Sequence, residues 1–124
     1  LIEKNGLKIF MDAYNANPTS MKAALENFAR LHRKNKTLIL GDMFELGAYG
    51  PREHRQIIKT LQSMEFHQVF LVGDHFYEQA RDTLPAFRQT HEFMSWLKNH
   101  PIRNSSILIK GSRGMALEKI VEML

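Results

Sequence analysis

The chain has 124 residues, of which 44% are apolar and 24% charged, with 7 Gly, 4 Pro and no Cys. A chain of this length buries roughly two-thirds of the surface its unfolded form exposes, so it needs neither disulfide nor metal to hold a core, and a single domain over residues 1–124 is expected. Lacking cysteine, it can hold no thiol nucleophile, thiolate-bound zinc or redox pair, which fits a cytoplasmic setting. Seventeen Lys and Arg against thirteen Asp and Glu leave a net charge of +4. One dense basic cluster, Arg30, His32, Arg33, Lys34 and Lys36, follows a predicted helix, where the macrodipole favours cations, so no nucleic acid is expected as a partner. Phosphate-bearing ligands remain compatible with that charge. No apolar run approaches membrane-spanning length and the first ten residues lack a signal layout, so no membrane association is expected.

In chain order, LKIFMD (Leu7 to Asp12) reads as a strand, and Asn17-Pro18 then opens a helix with Asn as cap and Pro in its first turn. Met21, Ala24, Leu25, Phe28 and Leu31 give that helix one apolar stripe. TLILGD (Thr37 to Asp42) is the second strand, and a Gly-rich connection leads to a helix from Pro51 to about Met64 with Ile57, Ile58 and Leu61 inward. QVFLVG (Gln68 to Gly73) is the third strand and HFYEQARDTL a short helix. Ala86 to Thr90 gives a weak fourth strand, EFMSWLKNH a helix stopped by Pro101, and SSILIKG (Ser105 to Gly111) the fifth strand. Leu117, Ile120, Val121 and Leu124 stripe a closing helix. Strands alternating with helices predict an α/β fold: a Rossmann-like, open, mostly parallel sheet of about five or six strands with helices on both faces.

In such sheets ligands gather beyond the carboxyl ends of the strands, and three polar clusters fall there. DAYNANP places Asp12, Tyr14, Asn15 and Asn17 before a helix N-terminus, where a carboxylate and an amide can bind ribose hydroxyls or orient a metal-bound water, while Asn17 alone reads equally as an N-cap. GDMFELG sets Asp42 and Glu45 between two glycines. The pair suits acid-base chemistry or magnesium, yet a turn with Gly41 and Gly47 at positive φ explains the same letters. His54, in the first turn of the next helix, reads as a packing or surface residue before it reads as a base. KGSRG supplies Lys110, Gly111, Ser112 and Arg113. Its glycines, Gly111 and Gly114, allow close approach of a ligand, and the guanidinium can grip a carboxylate bidentately, whereas Ser112 as N-cap and Arg113 as solvated side chain is the ordinary alternative. No phosphate loop, dinucleotide fingerprint, nucleophile elbow or zinc helix occurs, so the chain holds no complete catalytic apparatus.

Together DAYNANPTSMKAAL, GDMFELG with His54 following, LVG and IKGSRGMALEKIV span nearly the whole chain, and in this order they resemble the carboxy-terminal domain of the Mur ligases. Sister ligases that add single amino acids carry a His in the segment matching Asn15 to Pro18. This chain has none, which favours the branch that adds D-alanyl-D-alanine. The resemblance implies a cytoplasmic three-domain ligase. An amino-terminal domain takes a UDP-N-acetylmuramoyl-tripeptide, and a central domain binds most of the ATP and Mg2+. The present domain closes over the central one, with Asp12, Tyr14, Asn15 and Asn17 toward the nucleotide and Lys110, Gly111, Ser112 and Arg113 toward the incoming dipeptide. Alone, the chain is expected to be inert. A stand-alone nucleotide-sensing or receiver-like module would explain the strand-end carboxylates but not KGSRG after the last strand, and a scaffolding domain would explain the fold but not three polar clusters on one edge.

Overall fold

The computed structural model describes all 124 residues. Six strands form one sheet: β1 (Ile2–Lys4), β2 (Leu7–Asp12), β3 (Lys36–Gly41), β4 (Gln68–Val72), β5 (Ala86–Phe87) and β6 (Ser106–Lys110). Their spatial order is β1-β2-β6-β3-β4-β5. β1 runs antiparallel to β2 and every other neighbouring pair is parallel. Four α-helices connect them: α1 (Pro18–Arg30), α2 (Gly50–Gln62), α3 (Asp74–Ala80) and α4 (Thr90–Asn99).

Crossover chirality distributes the helices. From β2 the chain steps across the sheet through α1, α2 and α3, then returns through α4 to insert β6 between β2 and β3, so the return connection packs on the opposite face. Two apolar cores record this. One gathers Met21, Leu25 and Phe28 of α1, Ile57, Ile58 and Leu61 of α2, and Phe76 of α3 on Leu38, Leu40, Leu71 and Leu108 of the sheet. The other packs Phe93 and Leu97 of α4 with Leu117 and Ile120 against Ile9, Ile39, Val72, Ile107 and Ile109. The central strands are buried on both faces, which is why they read as continuous apolar runs.

Several expectations need correction. β1 was not anticipated, although Asn5-Gly6 signals it: both residues are left-handed (φ 52 and 79), as a two-residue hairpin turn requires. The fourth strand covers only Ala86–Phe87, because the Gln89 carbonyl already accepts from Glu92 and Phe93 to start α4. The closing helix is a 3-10 helix, Leu117–Met123. Its buried Leu117 and Ile120 lie three apart, the 3-10 spacing, and the carbonyls of Val121 and Leu124 accept from the Lys4 and Asn5 side chains of the β1–β2 hairpin. Gly41 is not at positive φ. Gly47 and, unexpectedly, Glu45 are (φ 55 and 65).

Candidate functional site

β6 separates two strands whose loops leave toward the opposite face from its own, so crevices flank its carboxyl end. The parallel register sets Asp12 of β2 directly beside Lys110 of β6. Lys110 is 2% exposed, and its Nζ donates to Asp12 Oδ2 at 2.7 Å and to the Asn15 carbonyl at 3.1 Å. A buried ammonium needs such partners. The Asp12 side chain is half exposed, so the pair joins an interior cation to a surface carboxylate. Next to it, the Arg113 guanidinium lies 5.3 Å from the ring centre of Tyr14, which is 74% exposed, and makes no ion pair. Sequence reasoning placed Asp12 and Lys110 on different ligands' sides. The structure bonds them to each other, and the first and third clusters form one surface.

Asn17 caps α1: its Oδ1 accepts from Ser20 N at 2.9 Å while Ser20 Oγ accepts from Asn17 N at 3.1 Å, a reciprocal capping box. Ser112 is no cap. Its Oγ accepts from Phe44 N at 2.8 Å and its N–H donates to the Asp42 carbonyl at 3.0 Å, stapling the loop after β6 to the loop after β3. The two glycines of KGSRG serve the same junction. A Cβ on Gly111 would lie 2.5 Å from Leu117 Cδ1 and 2.9 Å from Gly41 Cα, and one on Gly114 would lie 2.7 Å from the Phe44 ring.

The second cluster turns inward. Asp42 is 3% exposed, and its two oxygens accept from His75 N (2.8 Å) and Phe76 N (3.0 Å), capping α3 from another strand. Gly73, at φ 123, gives way to that carboxylate, since any Cβ there would collide with it. Both oxygens are thus engaged at a buried position, which gives Asp42 a structural role. His54 is fully buried. Its Nε2 accepts from Met43 N at 3.0 Å, which leaves the ring proton on Nδ1, donated to the Gly50 carbonyl at 2.6 Å. Burial pushes its pKa below the ordinary 6.5, partly opposed by the Gly50 carbonyl and Asp42. It stacks on His75 (4.7 Å, 18°) and fills the packing role.

Of the charged residues in that cluster, Glu45 points to solvent. It shares an open cleft of about 720 Å3 with Asn17 and Thr19 at the start of α1 and with Tyr49 and Arg52, whose guanidinium lies 4.8 Å from the Tyr49 ring centre. Tyr49 and Arg52 were missed. The Gly50-Pro51 helix start, which places Arg52 in the first turn, was the available signal. No three His, Asp or Glu side chains converge as a metal set, and no helix is long and apolar enough to cross a membrane.

Residues 1–113 match the family described as the Mur ligase, glutamate ligase domain. The UDP-N-acetylmuramoyl-tripeptide--D-alanyl-D-alanine ligase of Rickettsia prowazekii is 35% identical over 128 residues, covering 98% of this chain and 28% of that protein. The protein of the same name from Bacillus subtilis is 34% identical, covering 97% and 28%. Among solved structures, that of MurF from Acinetobacter baumannii superposes with a TM-score of 0.82 at 30% identity, over 98% of this chain and 28% of that one. The chain thus spans 28% of the length of these curated relatives. Over nearly its whole length, and in the open α/β sheet it forms, the chain belongs to the Mur ligase family as a carboxy-terminal domain.

Proposed function

We propose that this chain is the third domain of a cytoplasmic, ATP-dependent ligase that joins D-alanyl-D-alanine to a UDP-N-acetylmuramoyl-tripeptide during peptidoglycan precursor synthesis. The observation that carries the reading is Lys110, whose bonds to Asp12 and to the Asn15 carbonyl fasten DAYNANP and KGSRG into one strand-end surface. The names of relatives 34–35% identical over this region support the substrate assignment.

In the proposed reaction the γ-phosphoryl group of ATP passes to the terminal carboxylate of the tripeptide, releasing ADP. The dipeptide amine then attacks the acyl carbon, the carbon–oxygen bond to phosphate breaks, and the amine gives up a proton as the amide forms. This domain's share is positioning. Asp12 spends Oδ2 on Lys110 and keeps Oδ1 for a ribose hydroxyl, and the Asn15 and Tyr14 side chains face the same edge. Arg113, held over Tyr14 and free of any carboxylate of its own, is placed to grip the dipeptide carboxylate. In this reading magnesium falls to the central domain, because Asp42 is buried beneath the amides of His75 and Phe76 and Glu45 stands without a companion carboxylate. Domain closure over that partner would complete the site.

The test compares the chain alone with the complete ligase. The complete enzyme is expected to release phosphate with D-alanyl-D-alanine and not with single amino acids, and the chain alone to turn over no ATP. Steady hydrolysis by the purified chain that is lost in Asp12→Asn would overturn the division of labour. Tight nucleotide binding by the chain alone would favour a stand-alone sensing module.

A further inference from the structure

The basic cluster after α1 has no part in that edge, because it lies at the opposite end of the sheet. Lys36 has a structural role, since its Nζ donates to the carbonyls of Phe28, Ala29 and Leu31 and closes the C-terminus of α1. Its basic neighbours have no such role. Lys8, His32, Arg33 and Lys34, with Asn104 and Ser106, line a groove of about 360 Å3 that contains no apolar side chain. None of these four basic residues forms a salt bridge, and Glu3, opposite Lys8 in the hairpin register, stays beyond ion-pair range.

The floor of the groove is set by strand register. Ser106 pairs with Lys8 on one side and Lys36 on the other, and all three lie on the sheet face that carries α1. Ser106 is only 6% exposed, yet its hydroxyl has no hydrogen-bond partner in the protein. No fully enclosed side-chain polar atom of this fold lacks a partner, so the Ser106 hydroxyl opens into the groove it lines. Arg33 is fixed above, its guanidinium 5.7 Å from the Phe10 ring centre. A buried hydroxyl with an unspent hydrogen, roofed by unpaired cations and free of competing carboxylates, is the donor set that an oxyanion needs.

From this geometry we propose that the groove is a phosphate-binding site, receiving inorganic phosphate or the phosphoryl group of an ester, with Ser106 as the central donor and Lys8, Arg33 and Lys34 as counter-charges. It is separate from the ligase edge: Lys110 lies four residues further along β6, roughly 13 Å away. The proposal stands independently of the substrates assigned above.

Inorganic phosphate titrated into the chain at constant ionic strength, with chloride as the balancing anion, should shift the backbone amides of Lys8, Arg33 and Ser106 saturably. Ser106→Ala should weaken the apparent affinity about tenfold, the loss expected for a hydrogen bond to a charged group. The Arg33→Gln, Lys34→Gln double variant, altered only at the surface, should abolish saturation. Vesicles of phosphatidylglycerol mixed with phosphatidylcholine identify the source. Pelleting that free phosphate reverses and Ser106→Ala prevents assigns a lipid headgroup, and absence of pelleting assigns a soluble phosphate. Shifts that fail to saturate, or that are unchanged in Ser106→Ala with that variant's amide spectrum otherwise intact, would reduce the groove to diffuse surface charge and overturn the proposal.

Discussion

Two loop clusters of similar composition lie side by side at the carboxyl edge of the sheet and put their polar groups to opposite uses. Around β2 and β6, Asp12, Asn15, Tyr14 and Arg113 keep acceptors and donors turned to solvent, with Lys110 alone buried beneath them. Around β3, Asp42, His54 and Ser112 spend theirs inside the protein, on the amides of His75, Phe76, Met43 and Phe44. The difference is one of depth. A carboxylate buried to 3% exposure must be saturated by the fold, whereas one half exposed has an oxygen to offer a ligand. A strand-end carboxylate therefore reports on function only once its partners are known.

The sharpest break in this comparison is expected from Asp42→Ala. It strands the amides of His75 and Phe76 at the start of α3 and removes the group around which Gly73 is shaped. With two charge-assisted bonds lost from a buried site, the chain should lose about 2 to 4 kcal/mol in chemical denaturation. Asn15→Ala, on the solvent side, keeps the backbone carbonyl that serves Lys110 and should cost much less. Equal losses at the two sites would erase the distinction.

Arg113→Ala makes the complementary test. Stability should not move, because the guanidinium is exposed and unpaired apart from Tyr14. In the complete ligase, kcat/KM for D-alanyl-D-alanine should fall roughly ten- to hundredfold, the value of about 1.5 to 3 kcal/mol of charge-assisted pairing, with the KM for ATP unchanged. Arg113→Lys should recover little, since a point charge lacks the fork. Impaired ATP use with intact dipeptide kinetics would move Arg113 to the nucleotide side.

The buried cluster also predicts a pH dependence. His54 has a folded pKa below its unfolded value of 6.5, chiefly because burial disfavours the imidazolium. Between those two values the unfolded chain binds more protons, so stability is complete above pH 6.5 and declines as the pH falls through the window beneath it. Protonating Nε2 would also set a donor against the Met43 N–H. Denaturation midpoints measured from neutral pH downward should fall, and His54→Gln should flatten that slope. An unchanged slope in the variant would assign the acid sensitivity to other groups.

Sequence reasoning found the strands where burial on both faces makes continuous apolar runs, as in TLILG and SILIK, and found α1 because cap, proline and stripe agree. It missed β1, whose three residues are too short for a pattern, and it gave the closing segment the wrong helix type, since the buried pair Leu117 and Ile120, three apart, suits both 3.6- and 3-residue turns. The site was legible as residue types at strand ends. Which of them are engaged was not, because the deciding partners lie far away in the chain: Asp42 accepts from amides 33 and 34 residues on, and Ser112 from one 68 residues back. The same distance hid the role of the glycines, which make room for Leu117 and Phe44.

The smallest expected effect is at Asn17, which stands on both sides of the comparison. Its Oδ1 is committed to Ser20 N in the capping box, yet its side chain is exposed at the mouth of the cleft shared with Glu45 and Tyr49. Asn17→Ala should cost about 1 kcal/mol of stability through loss of the cap. Asn17→Ser separates the two roles, because serine caps about as well as asparagine but lacks the amide N–H group that could reach a nucleotide. If Asn17 only caps, Asn17→Ser in the complete ligase should leave both stability and the KM for ATP within twofold of the parent. If the free Nδ2 contacts nucleotide, Asn17→Ser should keep the stability and still raise the KM for ATP. That result would place Asn17 with Asp12, among residues anchored by the fold yet left with a group to offer, and the boundary between the two clusters would then run through a single side chain.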